Sequence, residues 1–139
     1  MATLQLGTRT RNARLDAIET DIGAAPMLEL RSGAMPANCA AVSTGSLLSR
    51  DALPSDWLSA AAAGVKSKAG TWTATGLAGI ATSNIGYFRI YDASSPDLCS
   101  MQGDVTATGG GGAMTVDNIS LAAGQVVTIN TFALTDGNA

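Results

Sequence analysis

The chain has 139 residues, 46% of them apolar and 14% charged, with a net charge of −3 and no histidine. That length forms one domain with a sizeable core. The negative balance argues against bulk nucleic-acid binding, and the lack of imidazole removes Ser-His-Asp pairs, Cys-His pairs and every histidine metal site.

Residues Met1–Leu6 are uncharged and read as an extended arm ending at Gly7. Thr8 or Thr10 is placed to cap a helix running to Ile22, in which Leu15, Ile18 and Ile22 form one apolar stripe. Arg9, Arg11 and Arg14 precede Asp16, Glu19 and Asp21, so the segment is locally cationic and its charge order opposes the helix dipole. The helix is too short to be stable alone in water, which predicts that residues 1–22 gain order by docking. Gly23 is a stop signal and Pro26 follows it.

Met27–Arg31 reads as a strand with Leu28 and Leu30 on one face. A loop with Pro36 and Asn38 leads to a short strand around Leu47 and Leu48, and Trp57-Leu58 opens another. Gly64–Lys68 and Thr71–Thr75 read as the two arms of a hairpin around Ala69-Gly70. Thr71, Thr73 and Thr75 share one face of it, and Trp72 and Ala74 the other.

The centre of the chain is Gly86–Val105. Tyr87, Arg89 and Tyr91 alternate with Phe88 and Ile90, the period of a strand. Asp92–Asp97 is dense in turn formers, and Leu98–Val105 returns. Trp72, Tyr87, Phe88 and Tyr91 are four of the six aromatic residues, which centres the core here. Gly109–Gly112 lacks the ending of a phosphate loop and reads as a flexible hairpin tip. Met114–Asp117 is a short strand, Asn118–Gly124 a turn region, and Gln125–Leu134 a long strand with Val127, Ile129, Thr131 and Ala133 on one face. One helix followed by about eight closely spaced strands predicts a mainly β fold. Its architecture would be an antiparallel β-sandwich, jelly-roll or immunoglobulin-like. The arm and helix would occupy 1–25 and the sandwich domain 26–139.

Few residues suggest chemistry. Asp92, Asp97 and Asp104 gather near the central hairpin, but their spacing fits no calcium loop. Cys39 and Cys99 are far apart in sequence and in no CxxC motif; a pair could bridge, but two cysteines make no disulfide scaffold, and they read as reduced, partly buried thiols. Arg89 between two tyrosines is the residue mix of a binding surface, or an outward side chain packed along its stem. No apolar run reaches the length of a membrane span and no signal-peptide pattern opens the chain, which predicts a soluble protein made in a cytoplasm. A free globular domain carries about 25% charged residues, so a chain this poor in charge suits burial against partners as well as against itself.

Four segments carry a resemblance. They are RNARLDAIETDIGAAPMLELRSGAMPA (Arg11–Ala37), FRIYD (Phe88–Asp92), MQGDV (Met101–Val105) and GQVVTINTFALTDGN (Gly124–Asn138). Together they resemble the small structural proteins of tailed-bacteriophage head and morphogenesis regions, capsid decoration (cement) proteins in particular. The resemblance implies a non-enzymatic virion component on the capsid surface, synthesised in the host cytoplasm, without cofactor, metal, nucleic acid or membrane. Its partners would be the major capsid protein and neighbouring copies of itself, as a homo-oligomer such as a trimer. The residues expected to meet partners are Leu4, Leu6, Arg9, Arg11, Arg14, Leu15, Ile18 and Arg89. Two other readings stay open: a tail, baseplate or fibre-associated component, and a carbohydrate- or ligand-binding sandwich that uses exposed tyrosines.

Overall fold

The computed structural model describes residues 3–95 and 98–137. Among the described residues a single helix, α1 (Thr8–Ile22), precedes nine strands: β1 (Met27–Ser32), β2 (Leu47–Ala52), β3 (Val65–Ser67), β4 (Trp72–Thr75), β5 (Ser83–Tyr91), β6 (Cys99–Ala107), β7 (Met114–Val116), β8 (Ser120–Leu121) and β9 (Val126–Thr135). The fold is mainly β and sandwich-like. Strands follow the order β2-β1-β5-β6-β7-β9-β3, with β4 also on β9 and β8 on β5. The sheet curls until the segment after β4 meets β2, where Leu77 N donates to Leu48 O at 2.9 Å.

The core lies inside that curl. Phe88 and Ile90 of β5 face Leu28 and Leu30 of β1 and Val127, Ile129 and Phe132 of β9, all within one buried cluster. An aromatic chain crosses it. Trp57 and Trp72 stand 6.0 Å apart, Trp72 and Phe132 5.2 Å, and Phe132 meets Phe88 edge-on at 5.7 Å. Both indole N–H groups are satisfied, Trp57 by Gly23 O and Trp72 by Ala69 O, as buried indoles require. The central aromatics are therefore divided. Phe88 enters this cluster, while Tyr87 and Tyr91 are buried on the opposite face of β5.

Helix α1 is part of the same body. Gly7 is its N-cap, with no side-chain cap on it, and Gly23 N donates to Glu19 O at 2.9 Å to close its end. Neither threonine caps it. Ile22 joins the core and Ile18 packs against it, so the docking surface that the helix needs is the chain's own sheet.

Several local expectations change. Val65–Ser67 and Trp72–Thr75 are not two arms of a hairpin. Both run antiparallel to β9, Val65 opposite Thr135 and Thr75 opposite Val126. They are one interrupted strand, and Ala69–Thr71 is an excursion between its halves. Lys68 N still reaches Phe132 O at 2.9 Å, which keeps the register. Trp57-Leu58 forms only a bridge, Leu58 to Lys68. On β9 the register with β7 shifts between Thr115 and Val116, and the bulge turns the strand over. Val127 and Ile129 face the core, then Phe132 does, while Thr131 and Ala133 are exposed.

The glycine run is not a hairpin tip. β6 and β7 pair in parallel, Val105 opposite Met114, across only the six residues between Ala107 and Met114. Parallel neighbours ordinarily need a crossover of about a dozen residues or more. Here the connection wraps the Thr106 side chain, whose Oγ1 accepts from Gly112 N at 3.0 Å. Gly109 and Gly111 have φ of +88° and +78°. A Cβ on Gly110 would stand 2.7 Å from Thr106 Cβ, and one on Gly112 2.9 Å from Thr106 Cγ2. Two glycines supply the backbone sign and two the close approach.

Two outcomes follow from this packing. Phe88→Ala should lower stability by about 3–5 kcal/mol, read from the urea midpoint, and an unchanged midpoint would remove Phe88 from the core. Gly112→Ala should destabilise by about 1–3 kcal/mol through overpacking. Added to Thr106→Ala it should cost less than the two single changes summed, whereas strict additivity would detach the loop from Thr106.

Candidate interaction surface

The residues expected to meet partners separate into three groups. Leu4 is 77% exposed, and Arg9 and Arg14 also point to solvent. Arg14 Nε lies 3.3 Å from Asp136 Oδ2, with 61% of its side chain still accessible. Leu6, Arg11 and Ile18 are half-buried. Arg11 Nη1 donates to Asp136 O at 3.0 Å and Nη2 to Thr8 Oγ1 at 3.3 Å, so this guanidinium ties α1 to the end of β9. Leu15 and Arg89 are inside, each 3% exposed, and neither lies on a free surface.

A shallow cleft of about 410 Å³ runs between α1 and the end of β9, lined by Arg14, Leu15, Ala17, Ile18, Thr135 and Asp136. Beside it the outer side of the helix is small and polar, with Ala13, Ala17, Thr20 and Asp21 exposed. Leu4, Arg9, Arg14 and this helix face put apolar and cationic groups in contact with solvent.

Arg89 sits on the far side of the sheet, under the loop of residues 33–46. Its Nε donates to Gln102 Oε1 at 3.1 Å, Nη1 to Ser43 Oγ at 3.1 Å, and Nη2 to Asn38 O at 3.1 Å and Ala41 O at 2.9 Å. The Tyr87 hydroxyl donates to Thr44 O at 2.7 Å and accepts from Thr44 N at 2.9 Å. Glu29, 2% exposed, accepts from Arg50 Nη1 at 2.6 Å and Arg31 Nε at 3.0 Å. The Arg50 guanidinium lies 5.3 Å from the centre of the Tyr91 ring. Arg89, Gln102 and Tyr87 fix the loop onto the sheet, and the tyrosines required by a carbohydrate reading are buried.

Asp92 and Asp104, near the central hairpin, do not converge. Asp92 Oδ1 accepts from Ser94 N, Ser94 Oγ and Ser95 N at 2.6–2.9 Å. The Ser94 hydrogen bonds hold its carboxyl below the ordinary value, as expected for a turn-forming aspartate. Asp104 is exposed and accepts from Ala113 N at 3.0 Å. Asp97 lies outside the described residues. Among the described residues no group of three or more acidic or cysteine side chains could hold a metal ion. No helix among them is long and apolar enough to cross a membrane.

One strong electrostatic contact escaped the sequence. Lys66, 2% exposed, places Nζ 2.7 Å from both Asp16 Oδ1 and Glu19 Oε2 and donates to Ser59 O at 2.8 Å. Asp16 Oδ1 also accepts from Ala61 N at 3.1 Å. The available signal was parity, since Lys66 falls on the inward side with Trp72 and Ala74. Burial lowers the affinity of Lys66 for its proton, but hydrogen bonds to Asp16 and Glu19 outweigh it and raise the pKa. The Lys66 hydrogen bond, followed by that from Ala61 N–H, lowers the pKa of Asp16. No family model matches the chain, and neither a curated protein nor a solved structure gives a match.

The pH dependence of this contact has a definite sign. A depressed Asp16 contributes stability above the unfolded carboxyl value of about 3.9, and loses it as pH falls through the folded value. A raised Lys66 contributes stability below the unfolded lysine value of about 10.4, and loses it as pH rises through the folded value. Thermal melts should therefore show a neutral plateau with losses in acid and in strong alkali. Lys66→Met should flatten the alkaline loss and reduce the acid one; a profile identical to the parent's would exclude the contact as a contributor.

Proposed function

We propose that the protein is a structural component of a tailed-bacteriophage virion that decorates the outer capsid and stabilises it through protein–protein interfaces. The observation that carries this reading is the exposure of Leu4, 77% accessible, a few residues before the outward Arg9 and Arg14. The inner face of α1 is occupied by the chain's own core, so the arm, the outer helix face and the cleft along β9 are what a neighbour meets. Apolar and cationic groups together suit a partner with an acidic rim around an apolar contact. The resemblance of Arg11–Ala37, Phe88–Asp92, Met101–Val105 and Gly124–Asn138 to decoration proteins supports the same reading. A modest interface suffices when many copies act together, because each bound copy raises the effective concentration of contacts. The partners are the major capsid protein and adjacent copies of this chain.

Co-sedimentation with capsids lacking the protein tests the reading. Leu4→Ser should abolish most binding and leave the melting temperature unchanged. Arg9→Ser with Arg14→Ser should weaken binding in part, with a smaller salt dependence than the parent. Full binding by both variants would move the interface elsewhere on the sandwich, and no binding by the parent would sink the capsid reading. Copy number in purified particles separates locations, hundreds supporting the head and a few to tens a tail component.

A further inference from the structure

We propose that Cys39 and Cys99 form an intramolecular disulfide when the protein meets a peroxide-class oxidant, stapling the loop of residues 33–46 to β6. The inference is independent of where the protein works. Cys99 opens β6 directly opposite Tyr91 of β5, and opposed residues of paired strands project to the same face. That face is the one carrying Arg89, beneath the loop. Cys39 is brought over it by its neighbours. Asn38 O and Ala41 O, on either side of the Cys39-Ala40 pair, both accept from Arg89 Nη2, at 3.1 and 2.9 Å. Two residues earlier, Pro36 O accepts from Gln102 Nε2 at 2.7 Å, holding the loop to the same strand as Cys99. The Cys39 thiol is near enough to Cys99 to help raise its pKa, and Cys99 Sγ donates to Met101 O at 3.4 Å. Both cysteines are free and half-buried, so a small oxidant reaches them.

The chemistry balances. The sulfur of Cys39 attacks one oxygen of hydrogen peroxide, the O–O bond breaks, and water leaves with the thiol proton, giving a sulfenic acid. The sulfur of Cys99 then displaces that oxygen as a second water, carrying away its own proton, and the S–S bond forms. Two thiols lose two electrons and one peroxide gains them. Burial, then the hydrogen bond with Cys39, pushes the Cys99 thiol up to about 12. A protonated thiol is a poor nucleophile, so Cys99 must give up its proton as it closes the bond.

Treating the purified full chain with hydrogen peroxide tests this, with peptide mapping by mass spectrometry under non-reducing conditions. The expected product is a Cys39–Cys99 linked peptide pair within one chain. Its melting temperature should rise by about 5–15 °C and return to the starting value with dithiothreitol. Cys39→Ser and Cys99→Ser should each show neither the link nor the rise. Sulfinic acid at both positions without a link would overturn the proposal. So would links between chains, or an internal link that leaves the melting temperature unmoved.

Discussion

A guanidinium enclosed at the centre of a sheet must have its donors matched, because an arginine cannot discharge itself by losing its proton. Arg89 makes four such bonds, and three of their acceptors belong to Asn38, Ala41 and Ser43. The loop of residues 33–46 is thereby obligatory. Without it, Arg89 and Glu29 would stand on an open sheet face and Tyr87 would lose its partner Thr44. With it, β1 and β5 are buried on both faces, one by apolar packing and the other by a polar network. A half-matched network costs more than an apolar core would, so loop, arginine and tyrosines form one unit.

The elements of the fold were legible where the pattern is local. The helix from Thr8 to Ile22 and its stop at Gly23 follow from an apolar stripe and a terminator, and the central hairpin follows from alternation around a turn. Pairing across distance was not legible. Val65–Ser67 and Trp72–Thr75 are close enough in sequence to suggest each other as partners, yet each found β9. The glycine run illustrates the same limit. Its composition indicates freedom, whereas the packed loop uses two positive φ angles and two missing side chains to make a very short parallel connection.

The charged residues were harder to place, for a physical reason. Whether an arginine or lysine is outside or inside depends on whether acceptors arrive from remote parts of the chain. Arg89 is matched from residues about fifty positions away, and Lys66 by Asp16, also 50 away. Nothing next to either residue announces this. The outward groups Leu4 and Arg9 could be named because solvent defines them, and Arg14 keeps 61% of its side chain accessible even where it meets Asp136.

The seat of α1 has a consequence in time. β3, which carries Lys66, pairs only with β9 among the described strands, and Arg11 reaches Asp136 beyond the end of that strand. The helix is synthesised before β9, the strand that completes its binding site. At about 5–20 residues per second, α1 leaves the ribosome on the order of ten seconds before the strand that receives it. During that interval Leu15, Ile18 and Ile22 are uncovered on a segment too short to hold its helix. The nascent chain is therefore exposed to proteases and chaperones along α1, and its maturation waits on β9.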